Sequence, residues 1–341
     1  MSMFDRRRLF NSGAALGILL GAGLFAASTV QAAETWRMAS KMPPDSPEGL
    51  VFQYFADKVA EHSGGELTVK VFPNEQLGKT DAVMEQLGLG TVHLYAEGST
   101  YMDKWVEDIS WVSAAFLFDD RDHWVRFCNS DLVRGWYEKA SEEAGVALLG
   151  DPTAILRGPY RVMVTNKDVQ SFGDIAGLKL RMHPDKLAHA IWTHLGAEVK
   201  TLAWTDVYQA IDKGIVDAVN SPIALVESMR FHEVGPHVIR HDEYYQAIGF
   251  MMNREAYEGL SDANREALLK AYDDAGAYSF EVMGQSADES IARMTEEGVS
   301  FVDIDRAPFV ESMAGFYKDL EEKGELPQGF LKAVEETRNA S

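Results

Sequence analysis

Between Leu50 and Glu61 the chain reads LVFQYFADKVAE, which sets Val51, Phe55 and Val59 four residues apart with Phe52 beside them. That spacing gives one apolar face on a helix. The period then changes. In HSGGELTVKVFPN a polar turn leads into an alternating run whose Leu67, Val69 and Val71 face one way, as in a strand. TDAVMEQLGLG predicts a short helix stopped by glycine, and TVHLYAEG a further strand. Strand-like and helix-like runs keep alternating through GVALLG, YRVMVTN, GLKLRMH, LAHAIWTHLGA, EVKTLA and WTDVYQAIDKG. Such alternation predicts an α/β fold with largely parallel sheets.

The last third has a different pattern. From Ser261 to Glu297 the chain contains no proline and is rich in helix formers, with Ser261 placed as an N-cap. A helix of that length can span more than one domain. GVSFVDID then returns to strand and APFVESMAGFYKDLEEKG to helix. No repeat at a solenoid period and no low-complexity linker interrupts the pattern.

The N-terminus stands apart. Arg6, Arg7 and Arg8 precede an apolar stretch from Ala14 to Ala27, and Val30 and Ala32 occupy the small-residue positions before a cut. Residues 1–32 therefore read as an export signal, of general or twin-arginine type, cleaved after Ala32. The expected location is the periplasm. Without that segment the chain carries 29 Lys+Arg against 52 Asp+Glu; the whole chain has 32 against 53, a net charge of −21. Nucleic acid and anionic membranes are poor partners for such a surface. The single cysteine, Cys128, cannot form an internal disulfide.

Catalytic signatures are absent: there is no G-x-S-x-G, P-loop, H-E-x-x-H or dinucleotide-binding glycine motif. His183, His189 and His194 are spaced by six and five residues, which does not stack them on one helix face for a metal. No cofactor and no metal are expected.

Attention falls on arginines. GLKLR ends a strand on Arg181 beside a His-Pro turn, and YRVMVTN begins one with Arg161. A buried guanidinium is costly unless paired, so Arg181 is a surface charge, a salt-bridge partner or a grip on an anion. In α/β sheets ligands collect at the carboxyl ends of strands, where two arginines can hold a carboxylate through paired bonds. Pairing to an acid of the chain suits Arg161 better than Arg181. Trp204 lies in a loop at a helix start, and Asn220 and Ser221 at a strand end before Pro222. All three are positions where ligand groups gather.

These segments, in this order, resemble the extracytoplasmic substrate-binding proteins of tripartite ATP-independent periplasmic (TRAP) transporters, of the C4-dicarboxylate-binding (DctP) type. VFPNEQLG is similar to that family's F-P-x-x-Q-L-G turn, and FGDIAGLKLRMH to its D-x-x-G-L-K-x-R segment. WTDVYQAIDKGIVDAVNSP is similar to V-Y-x-A-L-x-x-G-x-V-D-G-x-E-N-P. The likeness covers nearly all of the chain after residue 32.

The resemblance implies two α/β lobes joined by crossing strands and a long helix, closing over a ligand. It assigns residues 33–157 with about 247–286 to one lobe, and 158–246 with about 287–341 to the other. It implies that Arg181 grips a ligand carboxylate, that Arg161 is a second ligand arginine or its support, and that Trp204 forms an aromatic wall. Glu97 falls at an acidic or polar position beside the ligand. Asn220-Ser221 replaces a frequent Glu-Asn, Val219 a frequent polar residue and Ala218 a frequent glycine, so Ser221 is expected to admit a different ligand tail. The expectation is a monomeric, non-enzymatic receptor that carries a small organic anion to a membrane-embedded TRAP permease. A sulfonate or aromatic acid is an alternative ligand, with Trp204, Tyr95, Tyr160 and Trp192 as an aromatic lining. A periplasmic enzyme or sensor partner on the same scaffold is the alternative class.

Overall fold

The computed structural model describes residues 33–338, so the export signal expected over 1–32 lies outside the described residues. The elements run β1 (Glu34–Ala39), α1 (Pro47–His62), β2 (Leu67–Phe72), α2 (Thr80–Gly88), β3 (Leu94–Glu97), α3 (Arg121–Cys128), α4 (Asp131–Ala144) and β4 (Val146–Leu148). They continue with β5 (Arg161–Thr165), β6 (Lys179–Met182), α5 (Lys186–His194), β7 (Glu198–Thr201), α6 (Val207–Asp212), β8 (Ala218–Pro222) and β9 (His237–Arg240). The chain ends with β10 (Gly249–Asn253), α7 (Arg254–Gly259), α8 (Asp262–Glu296), β11 (Ser300–Asp303), α9 (Ala307–Lys323) and α10 (Phe330–Arg338). Short 3₁₀ turns fill several connections.

Two sheets form, one in each lobe. The first has strand order β2-β1-β3-β10-β4 and the second β11-β9-β5-β8-β6-β7. Both are mixed rather than largely parallel. β10 runs antiparallel to β3 and β4, and β5 antiparallel to β8 and β9. The reason is the route of the chain. β5 and β10 each enter their sheet from the other lobe, through the crossing segments 149–160 and 241–248, and so run against their neighbours. The two crossings are bonded together: Leu156 pairs with Ala247, and the Ile248 amide donates to the Ile155 carbonyl at 2.9 Å.

Period-two alternation places each sheet between two apolar layers. Val162, Val164, Phe250 and Met252 enter one layer, while Met163 and Met251 enter the other. Strands buried on both faces read as continuous apolar runs, a pattern that carries no information on their direction. The first layer is closed by α1 and α8. Ser46 caps α1 by accepting from the Gly49 amide at 3.1 Å, with Pro47 at its first turn. Gly49 is required by close approach, because a Cβ there would lie 2.2 Å from the Pro43 carbonyl oxygen.

The 35-residue α8 begins at the Ser261 cap, as expected. Its early turns face the first lobe, where Tyr272 donates to the Asp151 carbonyl at 2.8 Å. In its middle, Ser279 accepts from the Leu156 amide of the crossing at 2.8 Å. Towards its end Ser290 and Arg293 bond Glu227, beyond β8. α10 lies on α3: the His123 ring bonds the Val334 carbonyl oxygen at 2.8 Å, and Arg126 donates to the carbonyls of Thr337 and Arg338. Cys128 is buried at the end of α3, and burial pushes its thiol pKa well up.

Candidate functional site

The sheet topology explains how distant residues meet. β6 is parallel to β8, and β5 is antiparallel to it. The start of β5 therefore lies on the same edge as the ends of β6 and β8. Arg161 pairs in register with Pro222, and Arg181 with Val219. Both arginines line a cleft of about 540 Å³, part of it open to solvent, together with Trp204, Asn220 and Glu97.

Ser221 does not line the cleft. It is fully buried and its hydroxyl donates to the Pro222 carbonyl. Side chains alternate along a strand, so Asn220 and Pro222 take the cleft face and Ser221 the other. Ser221, expected to shape the ligand tail, is thus placed away from the cleft face. The aromatic lining also differs. Trp192 is buried with its indole N–H donated to Glu243 at 2.9 Å, and neither it, Tyr95 nor Tyr160 reaches the cleft. Tyr101 and Tyr244 stand there with Trp204.

The cleft's charges fall into three groups. In the first, Arg157 makes a two-point contact with Glu48, at 2.9 and 3.2 Å, and bonds Glu97 through Nη1. Lys41 Nζ lies 2.7 Å from the other Glu97 oxygen, as an ion contact rather than an aligned hydrogen bond. All four groups are buried. Burial alone would raise the Glu97 pKa, but Arg157 and Lys41 outweigh it and hold the carboxyl well below the usual range. Glu97 thus faces the cleft with both oxygens already engaged.

In the second group, Arg161 Nε donates to Glu243 Oε1 and Nη1 to Gln246 Oε1, both at 2.7 Å. Its guanidinium carbon lies 4.4 Å from the centre of the Tyr244 ring. Glu243 Oε2 accepts from Trp192 and from the Asn220 amide at 2.8 Å. Asn220 Oδ1 accepts from His241 Nε2 at 3.1 Å, and His241 Nδ1 accepts from the Glu243 backbone amide at 3.2 Å. Both bonds fit the neutral imidazole. Burial drives the His241 pKa down to about 4, and the Glu243 charge opposes this only in part. Arg161 is therefore the paired arginine of the two.

Arg181 is the third group, and it stands alone. It is 5% exposed and has no ion-pair partner among the described residues. Nε and Nη2 donate to a single acceptor, the Leu202 carbonyl oxygen, at 2.9 and 2.7 Å. The Trp204 ring centre lies 5.5 Å from the guanidinium carbon. Burial lowers the guanidinium pKa to about 10, so it remains charged at neutral pH. The buried indole N–H of Trp204 has no hydrogen-bond partner among the described residues.

Lys41, Glu48, Arg157, Glu243 and Gln246 escaped the sequence reading. Arg157 and Arg161 frame the segment RGPYR, four residues apart across a Gly-Pro, which was a usable signal. Glu243 lies in HDEYYQ, between two strand-like runs, where nothing in the pattern marks an acid as buried. The three histidines weighed for a metal are apart in their contacts: His183 pairs with Asp185, His189 with Thr193, and His194 with Ser312.

Comparison with known proteins gives a consistent result. Residues 38–323 match the model for the bacterial extracellular solute-binding proteins of family 7, DctP. The 2,3-diketo-L-gulonate-binding periplasmic protein YiaO of Escherichia coli is 26% identical over 93% of this chain and 96% of its own length. The sialic acid-binding periplasmic protein SiaP of Vibrio cholerae is 27% identical over 87% of this chain and 92% of its own. A TRAP periplasmic solute-binding protein of Ochrobacterium anthropi, solved with bound L-fuconate, shares the fold with a TM-score of 0.82 at 22% identity. It matches 90% of this chain and all of its own. Two mixed sheets, two crossings and a long bridging helix, with a model match over most of the length, lead to one assignment: the chain belongs to the DctP family, the family 7 solute-binding proteins of TRAP transport.

Proposed function

We propose that this protein is a periplasmic TRAP receptor that takes a small organic acid into the cleft between its sheets and delivers it to the membrane-embedded permease. Its family consists of transport proteins, not enzymes. The observation that carries the reading is Arg181, a buried guanidinium with no carboxylate partner among the described residues, while every other cation lining the cleft is paired. A desolvated, uncompensated cation is stabilised by an anion that enters from outside. Two-point bonding to a carboxylate is the natural use of its fork. Trp204 would pack on the ligand body, and Asn220, Arg161 and Glu97 would shape the rest of the site. The named ligands of the relatives, diketogulonate, sialic acid and fuconate, are all acids.

Closure would turn on the crossing segments, between a lobe of 33–157 with about 247–286 and a lobe of 158–246 with about 287–341. A monomer without nucleic-acid partners fits the net charge of −21. The test is a thermal-shift screen of protein freed of co-purified ligand by unfolding and refolding, against monocarboxylates, dicarboxylates, sugar acids, aromatic acids and sulfonates. Ligand at about a thousand times its Kd adds about 4 kcal/mol, a shift of several degrees. One class of acid shifting strongly supports the reading, and silence across every class contradicts it.

A further inference from the structure

Beside the cleft lies a second, smaller pocket of about 360 Å³, part of that volume open to solvent, and the two share Gly98, Thr100, Tyr244 and Gln246 as walls. The far side of this annex is built by Val112, Trp124, Cys128, Tyr137 and Ala247, each less than a tenth exposed. We propose that the annex receives an apolar tail of the ligand, so that the acid carries an alkyl or aryl group on its polar, carboxylate-bearing head. The inference rests on the reading of the cleft as an organic-acid site.

Among the polar side chains of the annex, Ser99, Ser113, Trp124, Tyr137 and Thr153 are bonded within the protein, while Thr100 and the hydroxyls of Tyr244 and Tyr245 make no hydrogen bond among the described residues. Ser99 and Tyr137 bond each other at 2.8 Å, and the Trp124 indole donates to the Val112 carbonyl at 2.8 Å. Thr153 donates to Asp151 at 2.7 Å and Ser113 to the Ser110 carbonyl at 2.8 Å. A hydroxylated tail lying against these five bonded groups would give up water without a free partner among them, a loss that an apolar tail does not incur. The cleft around Arg181 is the opposite, with guanidinium, ammonium and amide groups on its walls. The two compartments thus divide a ligand into an anionic head and an apolar tail.

Gly98 stands on the shared wall. Its φ of −56° makes no demand for glycine. A Cβ there would meet Arg157 Nη1 and Gln246 Nε2 at 3.5 Å and Thr100 Oγ1 at 3.6 Å, in ordinary contact. Alanine therefore fits, while a branched side chain would thicken the wall between the compartments.

The experiment is calorimetric titration of the refolded, ligand-free protein with lactate, 2-hydroxybutyrate, 2-hydroxyhexanoate, 3-phenyllactate and gluconate. Each methylene entering the annex is expected to tighten binding about four-fold, so 2-hydroxyhexanoate and phenyllactate should exceed lactate and gluconate. Ser113→Leu, and independently the bulkier Ser113→Phe, on a wall that belongs to the annex alone, should flatten the series while lactate stays within about three-fold of its wild-type affinity. A flat wild-type series, gluconate binding tightest, or a tail-length gain untouched by both variants would overturn the annex and leave the organic-acid reading standing. Failure of every acid, lactate and gluconate included, would overturn that reading and the annex with it.

Discussion

Arg181 and Leu202 are joined by two hydrogen bonds to one acceptor, from Nε and Nη2 to the Leu202 carbonyl oxygen. A carbonyl fixes the direction of the guanidinium without neutralising it. Arg161 is held differently, by the Glu243 carboxylate at 2.7 Å. Two arginines on one sheet edge thus differ in what they still require: Arg161 has its counter-charge, and Arg181 lacks one.

Removing the Glu243 charge should change which anions fit. Glu243→Gln leaves Arg161 uncompensated and turns an amide toward donors from Trp192 and Asn220. Breaking a buried pair costs about 3–5 kcal/mol, so chemical denaturation should show a loss of that order. The variant's cleft then holds two free cations instead of one. Titration with paired mono- and dicarboxylates should show preference moving toward the dicarboxylate; an unchanged ratio would mean that Arg161 is screened from the ligand.

The Glu48–Arg157–Glu97–Lys41 group predicts a coupled loss. Arg157→Met leaves two buried carboxylates with Lys41 alone. The expected cost is about 3–5 kcal/mol. The double variant Arg157→Met/Glu48→Gln removes one of the stranded charges and should recover part of that loss, a coupling that a double-mutant cycle measures directly. Strict additivity would show that the group is not one electrostatic unit.

His241 predicts a specific loss in acid. Its folded pKa, about 4, lies below the 6.5 of an exposed imidazole, because burial and Arg161 disfavour the cation more than Glu243 and Asp242 favour it. The unfolded chain therefore binds the extra proton between these values. The His241 contribution is fully present above about pH 6.5 and is lost as pH falls toward 4, by about 3 kcal/mol in all. Denaturation of the wild type and of His241→Gln at pH 7, 5.5 and 4 should show the gap between them shrinking by about that amount. A constant gap would mean that the imidazole titrates normally in the fold.

Much of this arrangement could be read from the chain. GLKLRMH gave β6 with Arg181 near its end, and Ser261 marked the cap of α8, because these signals are local: a strand-length apolar run, a turn, a capping side chain. What stayed hidden is non-local. YRVMVTN looks the same in either direction, and only the crossing of the chain between lobes makes β5 antiparallel. Ser221 is adjacent in sequence to a cleft residue, but the face it takes depends on which side of the sheet becomes the cleft. Glu243 becomes the partner of Arg161 through a contact spanning 82 residues, which no spacing rule encodes.

The central claim is that Arg181 is held in place for an anion the protein does not itself supply. Arg181→Met tests it most directly, since methionine fills similar volume and carries no charge. The variant should fold within about 2 kcal/mol of the wild type, the lost bonds to Leu202 being offset by relief of a buried unpaired charge. Calorimetric titration with the acid that shifts the wild type most should then show affinity reduced at least a hundred-fold. A stably folded Arg181→Met protein that binds the acid with wild-type affinity would show that Arg181 does not hold the anion.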